Sequence, residues 1–351
     1  MKLPKIYLMN RGKLSLPGNS LAYFMGNSRF MVSALVLAIA ILCRVTAAES
    51  AVEPLRIAVS QTPLSLPFYV AESQGYFRDE GLQIKISDVI GGHRTMQQLL
   101  EGKADLATSS ESVVMFNSFQ QQDFAVIASF VSSDDDSKVV VRPNAGITEP
   151  KHLAGKRVGT VVGGACHYYL EMMLLTNGVD PKKVLIRNLQ PEDMADALSK
   201  GDVDAVAIWE PFPYKVIKVV PGSRVLGKSN AYRMFFNLIE HKRLLKGREE
   251  ELVKLLRALE RSEQFIISQP EKAKTILLNR LKLDNDFIDW IWPRNNYRLT
   301  LSQTLVTTLE GEARWARKGG LVKGDKSPNY LNFIDAAPLG KMNVKAVSII
   351  R

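Results

Sequence analysis

The stretch Gly201-Asp-Val-Asp-Ala-Val-Ala-Ile-Trp-Glu210 repeats a pattern found 99 residues earlier, in Gly102-Lys-Ala-Asp-Leu-Ala-Thr-Ser-Ser-Glu111. In both stretches a glycine ends a predicted helix, an aspartate begins a short apolar strand, and a glutamate begins the next helix. The repeat indicates two similar lobes, each built from strand–helix–strand units.

The sequence around both stretches alternates short apolar runs with helical patterns. The first region has predicted strands at 55–60, 82–87, 105–109 and 125–131 and helices at 67–80, 93–100 and 111–121. The second has strands at 157–162, 184–189 and 204–209 and helices at 166–177 and 193–200. This spacing predicts an α/β fold in which each lobe is a mostly parallel sheet flanked by helices.

The predicted first lobe covers residues 53–143 and is completed by residues 234–340, while the second lobe covers 147–230. The chain is therefore expected to cross between lobes near 143–150 and near 230–240. Residues 252–259 show the leucine stripe of an amphipathic helix, and helices are also predicted at 270–282 and 301–318. This tail is too rich in helices to build a third sheet, and it is expected to pack on the first lobe.

Basic residues are concentrated at the N terminus. The 351-residue chain has 46 Lys and Arg against 36 Asp and Glu, but residues 1–48 hold six of the basic residues and no acidic one. The rest is nearly balanced in charge, which argues against a nucleic-acid partner. Residues 1–48 are interpreted as a secretory signal, because the apolar run 30–43 is shorter than the roughly 20 residues of a membrane span. An uncleaved anchor and a start at Met25 remain open alternatives.

Five predicted strand-to-helix junctions carry residues that could contact a ligand. They contain Ser65, Gly91-Gly-His93, Ser109-Ser110, Gly163-Gly-Ala-Cys-His167 and Trp209-Glu210. Helix N-termini have unpaired N–H groups and partial positive charge, so several around one cleft favour a small anion or polar ligand. Each junction also has a structural interpretation, since serines cap helices, paired glycines form turns and a tryptophan can be core.

No catalytic, metal or cofactor site is predicted. Cys166 and His167 are adjacent, so on a helix they point about 100° apart and do not face each other as nucleophile and base. Asp134-Asp-Asp136 is interpreted as a solvated turn, because no further carboxylate follows at ligand spacing. The sequence also lacks the phosphate-loop, dinucleotide, zinc-protease and serine-hydrolase motifs.

Several segments between residues 53 and 280 follow one another in a familiar order. They are Pro67-Phe-Tyr-Val-Ala-Glu72, Gly75-Tyr-Phe77, Gly102-Lys-Ala-Asp-Leu-Ala107, Leu153-Ala-Gly-Lys-Arg-Val-Gly159, Asn177-Gly-Val-Asp-Pro181 and Asp202-Val-Asp-Ala-Val-Ala-Ile-Trp-Glu-Pro-Phe212. Together they resemble the nitrate/sulfonate/taurine group of solute-binding proteins of ABC importers, which is related to thiamine-pyrimidine-precursor-binding proteins. The resemblance implies a type II periplasmic binding protein fold with two crossover strands. It also implies a periplasmic monomer that closes around a small solute and delivers it to an ABC permease.

Carried over by position, the resemblance implies a set of ligand contacts. They are Leu64, Ser65, Gly92, His93, Ser109, Ser110, Gly163, Gly164, Ala165, Cys166, His167, Trp209 and Glu210. Hydroxyl and N–H groups would bind an anionic end, while the Glu210 carboxylate would favour an amine or nitrogen heterocycle over nitrate. Residues 231–240 depart from the group, and Arg233 could lie in the cleft or on the surface.

Two other functions remain open. One is an enzyme resembling the thiamine-pyrimidine synthases, which would require a cysteine-rich segment; residues 49–351 contain only Cys166. The other is a membrane-tethered sensor or accessory lobe, which would require the N-terminal segment to stay uncleaved.

Overall fold

Two mixed β-sheets flanked by helices form the fold of this computed structural model, which describes residues 53–227, 232–292 and 294–350. The predicted signal at 1–48 lies outside the described residues. The strands are β1 (Leu55–Ser60), β2 (Ile84–Val89), β3 (Leu106–Ser110), β4 (Phe124–Ser133), β5 (Ser137–Val141), β6 (Arg157–Thr160), β7 (Leu185–Asn188), β8 (Ala205–Trp209), β9 (Arg224–Val225), β10 (Met234–His241), β11 (Asn295–Ser302) and β12 (Val347–Ser348).

Twelve α-helices connect or cover these strands in the described ranges. They are α1 (Leu66–Ser73), α2 (Tyr76–Asp79), α3 (Gly92–Leu100), α4 (Glu111–Ser118), α5 (Ala165–Thr176), α6 (Met194–Lys200), α7 (Phe212–Val219), α8 (Glu249–Ser268), α9 (Pro270–Leu281), α10 (Asp286–Ile291), α11 (Gln303–Lys318) and α12 (Ala337–Met342). The single helix predicted at 67–80 is two helices, because Gly75 adopts a φ of +74° between them. A positive φ of this kind is available to glycine at little cost.

The first sheet has the order β12-β11-β4-β10-β3-β1-β2, and the second has the order β7-β6-β8-β5-β9. Helix-connected neighbours are parallel: β1 pairs with β2 and β3, and β6 pairs with β7 and β8. The strands reached by crossing between sheets, β5 and β10, run antiparallel to their neighbours. The two-lobed α/β fold is thus confirmed, with mixed rather than mostly parallel sheets.

The chain leaves the first sheet after Ser133 and enters the second at Ser137. This passage precedes the 143–150 region predicted for the crossing, because the buried run Val139–Val141 forms β5 beside β8. The return passage lies between Val225 and Met234, and its residues 228–231 lie outside the described residues. The first lobe is therefore the seven-stranded sheet with its helices, and the second lobe is the five-stranded sheet with its helices.

Within the described ranges the C-terminal tail builds no third sheet, as expected, but besides its helices it adds two strands to the first sheet. Residues 295–302 form β11 against β4, and β12 pairs with β11. The leucine stripe is buried as predicted: Leu252, Leu255, Leu256 and Leu259 are almost fully inaccessible on α8. This helix packs on α1 and on β11, so the tail completes the first lobe.

The sequence repeat corresponds to the same ion pair in both lobes. Asp105 accepts hydrogen bonds from the backbone N–H of Arg56 at 2.8 Å and from its guanidinium at 2.7 Å. Asp204 does the same with Arg157, at 3.0 and 2.9 Å. Each aspartate precedes a central strand and holds the start of a parallel neighbour, which fixes the relative position of the two strands.

No helix in the described ranges is long and apolar enough to cross a membrane.

Asp204→Asn should lower the free energy of unfolding at pH 7 by about 1–2 kcal/mol, because charge-assisted hydrogen bonds become neutral ones. The hydrogen bonds from Arg157 lower the pKa of Asp204 from 3.8 to about 2. The stabilisation is present above the ordinary pKa and is lost as the pH falls through the lowered one. Urea titrations should therefore show the deficit shrinking between about pH 4 and pH 2.

The exposed Asp202→Asn is the matched control and should unfold like the parent protein. A deficit for Asp204→Asn that stays constant down to pH 2 would contradict this role of the ion pair.

Candidate functional site

A cavity of about 250 Å³ lies between the two lobes. The first lobe contributes Ser60, Thr62, Leu64, Gly92, His93, Ser110, Val113, Met234 and Phe236. The second lobe and the passage into it contribute Asp136, Val161, Val162, Gly163, Gly164, Ala165, Asn188, Gln190 and Trp209. Ser60, Ser110, Asn188 and Trp209 are the last residues of β1, β3, β7 and β8. The cavity therefore lies where the rule for open parallel sheets predicts a ligand site.

Three helices begin on the wall of this cavity. Gly92 is the first residue of α3, Ser110 precedes α4, and Gly164 precedes α5, whose first residue is Ala165. The first-turn N–H groups of a helix have no acceptor within the helix and carry partial positive charge. The Ser110 side chain does not cap α4 by a hydrogen bond. The Ser110 hydroxyl therefore does not serve as a helix cap, which was the structural role that the sequence also allowed.

His93 and Trp209 form an aromatic contact between the lobes. Their ring centroids are 6.4 Å apart at an interplanar angle of 69°, an edge-to-face arrangement. Gly91 lies against both rings, since a Cβ there would be 2.7 Å from His93 and 3.3 Å from Trp209. Burial and the neighbouring Arg94 lower the pKa of His93, so the ring is neutral at pH 7 and adds no positive charge to the cavity.

Arg94 on α3 reaches across to the second lobe. Its Nη2 donates to Gln190 Oε1 at 3.0 Å and to Glu192 Oε2 at 3.2 Å. The pair is solvent-exposed, so its contribution to stability is small, on the order of 1 kcal/mol or less. The contact nevertheless links the two lobes beside the cavity.

A buried charged cluster lies at the passage between the lobes. Lys138 Nζ is 3.0 Å from Glu210 Oε1 and 3.4 Å from Asp135 Oδ2. Arg294 forms an ion pair with Asp135, and Trp290 Nε1 donates to Glu210. Burial raises the pKa of Glu210, and its cationic partner acts against that shift.

The interpretation of residues 134–136 as a solvated turn is wrong for two of the three aspartates. Asp135 and Asp136 are only 6% and 4% exposed, whereas Asp134 is on the surface near Arg233, with 3.6 Å between charged atoms. Arg233 therefore belongs to the surface rather than the cavity. Burial of Asp135 is possible because Lys138 and Arg294 compensate its charge, and Arg294 is too distant in sequence to be recognised as a partner.

Eight of the thirteen predicted contact residues line the cavity: Leu64, Gly92, His93, Ser110, Gly163, Gly164, Ala165 and Trp209. The other five predicted residues do not line the cavity: Ser65, Ser109, Cys166, His167 and Glu210. The hydroxyls of Ser65 and Ser109 donate to backbone carbonyls of Ser60 and Gly92, at 2.7 and 2.9 Å. Both serines therefore hold the loops that shape the wall.

The side chains of Cys166 and His167 face different neighbours. Cys166 Sγ is 3.2 Å from Ser137 Oγ, and burial raises the pKa of this thiol, so it is protonated. His167 is 3.4 Å from Glu171 and makes an edge contact with Trp315. Glu210 is bound by Lys138 and Trp290. None of these three residues lines the cavity.

Ten residues of the wall were not among the predicted contacts: Ser60, Thr62, Val113, Asp136, Val161, Val162, Asn188, Gln190, Met234 and Phe236. Asn188 and Gln190 could have been found, because they follow a predicted strand of the parallel set. Met234 and Phe236 could not, because they belong to β10, an antiparallel strand reached from the other lobe. Within the described ranges, no three His, Cys, Asp or Glu side chains are grouped to hold a metal ion.

The two lobes and the cleft between them define a periplasmic-binding-protein fold. Residues 62–273 match the NMT1/THI5-like family, and the chain belongs to that family. A crystal structure of the periplasmic aliphatic sulphonate binding protein SsuA from Escherichia coli superposes with a TM-score of 0.68, at 21% identity. That alignment covers 80% of this chain and 97% of SsuA, and it supports the fold alone.

Two relatives from Bacillus subtilis (strain 168) match over shorter lengths. YtlA, provisionally named a binding protein, is 27% identical over 59% of this chain, and the match spans 64% of YtlA. A protein provisionally named an aliphatic sulfonates-binding protein is 26% identical over 67% of this chain and 72% of its own length. Both relatives are named as binding proteins, and the match to YtlA covers less than two thirds of YtlA.

Lys138→Met should lower the free energy of unfolding at pH 7 by about 3 kcal/mol or more, because it leaves buried carboxylates without their shared cation. The deficit should shrink as the pH is lowered towards 5, since protonation of Glu210 removes the unpaired charge. Urea unfolding of the variant and of the parent protein at pH 7 and at pH 5 measures this deficit.

Lys215→Met is the matched control, because Lys215 is exposed on α7. Its unfolding should be nearly unchanged at either pH. A deficit below 1 kcal/mol for Lys138→Met would show that the buried cluster does not depend on this lysine.

Proposed function

We propose that this chain is the exported solute receptor of an ABC importer and that it captures a small organic anion between its lobes. The observation that carries the proposal is the start of three helices, α3, α4 and α5, on the wall of one interlobe cavity. Backbone N–H groups at helix starts bind sulfonate, phosphate or carboxylate oxygens without a charged side chain. The described lining residues include no lysine or arginine, so these N–H groups are the positive end of the site.

The rest of the wall suits a carbon chain rather than a bare inorganic anion. Val113, Val161, Met234, Phe236 and Trp209 give the cavity a largely apolar surface. Burying an apolar group on such a wall contributes roughly 25 cal/mol per Å². A solute with an anionic head and a short apolar body therefore uses both parts of the cavity. The sulfonate-binding names among the relatives support this class of solute.

Binding is expected to favour a closed arrangement of the lobes. The solute would contact α3 and α4 from the first lobe and α5 from the second, so its binding energy depends on their approach. The Arg94 contact with Gln190 and Glu192 would form only when the lobes are close. The passages at 133–137 and 225–234 connect the sheets and would act as the hinge. A permease could then distinguish loaded from empty receptor by its shape.

Delivery to a membrane permease and residence in the periplasm belong to this proposal. The apolar, acid-free N-terminal segment supports export, and the periplasmic sulphonate-binding protein of the same fold supports the location. An enzymatic role for Cys166 lacks support, because the thiol is buried and protonated, lies against Ser137 and does not line the cavity.

Ala165→Pro removes one amide donor from the start of α5 while keeping the helix. Proline is accepted at the first helical position, and Gly164 has the extended backbone (φ −111°, ψ 173°) that a following proline requires. Loss of one hydrogen bond to an anion should weaken binding by about tenfold. Calorimetry with a series of linear alkanesulfonates measures the effect.

Ala165→Ser is the matched control, because it changes the side chain and keeps the N–H group. Its affinity should stay within about twofold of the parent protein, and both variants should melt near the parent temperature. Parent-like affinity for Ala165→Pro, with a folded variant, would contradict binding at the start of α5.

A further inference from the structure

Asp136 lines the interlobe cavity and has a buried carboxylate oxygen without a hydrogen-bond partner. The residue lines the cavity and is 4% exposed, and its Oδ2 has no hydrogen-bond partner in the described part of the chain. A buried carboxylate without a partner is unfavourable by several kcal/mol when ionised. The loss of stability is small if the carboxyl group is neutral in the empty protein and receives a partner when a solute fills the cavity.

The surrounding cluster has one more acid than base. Asp135, Asp136 and Glu210 face Lys138 and Arg294. Lys138 is already shared by Glu210 and Asp135, and Arg294 is paired with Asp135. Asp136 is therefore the acid whose charge the cluster leaves uncompensated.

We infer that Asp136 is the specificity-determining residue of the cavity, where its carboxylate accepts a cationic nitrogen of the solute and releases a proton to solvent as the solute enters. The inference rests on the proposed function and narrows the solute class. The anionic end lies at the helix starts, and the other end carries an amine or a protonated nitrogen heterocycle. An amino-sulfonate or an ω-amino acid has both groups.

The charged and titratable groups around Asp136 support this exchange. Burial, aided by Glu210 and Asp135, raises the pKa of Asp136 well above its ordinary value, against the opposing effect of Lys138. Burial also raises the pKa of Cys166 and of Tyr297, so both are neutral in the physiological range. His93 elsewhere on the wall is neutral because its pKa is lowered. None of these three neutral groups can replace a cationic ligand as the partner of Asp136.

The exchange gives binding a defined pH dependence. In the empty protein Asp136 is protonated, so binding of a cation must expel that proton. The affinity for an amine-bearing solute should therefore rise with pH, by up to about tenfold per unit, until the carboxyl of the empty protein ionises. The affinity for the same solute without its amine should be nearly independent of pH.

Calorimetry with 2-aminoethanesulfonate and ethanesulfonate tests the inference, since the two compounds differ only in the amine. Titrations in buffers of different ionisation enthalpy report the number of protons released. The parent protein should prefer the amine by tenfold or more and release close to one proton. Asp136→Asn should lose both the preference and the proton release while still binding ethanesulfonate. Asp134→Asn, a change at the exposed neighbour, should behave like the parent.

Three outcomes would overturn parts of the account, and they can be distinguished. Equal affinity of the parent for both compounds, or a preference that survives in Asp136→Asn, contradicts the role of Asp136 and leaves the proposed function intact. Binding of 2-aminoethanesulfonate without proton release would mean that Asp136 keeps its proton in the complex, which also contradicts the inference. Failure of the folded parent to bind either compound contradicts the proposed sulfonate-type solute itself. The proton count comes from the parent protein, so it does not depend on any variant folding.

Discussion

Helix-start N–H groups that have no acceptor in their own helices are the constraint on which this site depends. Three helices begin at one cavity because the parallel strands of both lobes end there and each helix follows a strand. The Asp105–Arg56 and Asp204–Arg157 pairs hold the corresponding strands in place in each lobe. The fold therefore builds a positive, hydrogen-bond-donating surface without a cationic side chain on the described wall.

The opposite electrostatic character appears at the passage between the lobes. Asp135, Asp136 and Glu210 are buried there with Lys138, and Asp136 is the member of this cluster that lines the cavity. The solute proposed above, which has groups of both signs, would match this arrangement. Asp136 also lies in the segment that joins the first sheet at Ser133 to the second sheet at Ser137.

Much of the fold was predictable because it follows local patterns. The aspartate, strand and glutamate of the repeated stretch predicted the central strands of both lobes, and small residues after strands predicted much of the cavity wall. From the sequence, Glu210 was expected to place a carboxylate in the cleft and therefore to favour a solute that carries an amine. The structure instead places Asp136 on the wall and gives Glu210 to Lys138 and Trp290.

The features that were missed depend on distant partners. From the sequence, Asp136 looks like a surface residue, because the charged residues grouped with it come from β5, from the position after β8 and from the segment before β11. β10 and β11 break the strand–helix rhythm, because they pair antiparallel within the first sheet after long excursions of the chain. Sequence periodicity carries no information on such pairings.

The closing of the two lobes on a solute is the central claim, and an interlobe distance tests it most directly. Spin labels at Gln97 on α3 and Asp196 on α6 would report it, since both positions are exposed and lie on different lobes. Addition of saturating 2-aminoethanesulfonate should shift the distance distribution to a shorter, narrower one. An unchanged distribution, while calorimetry shows the compound bound, would contradict the account.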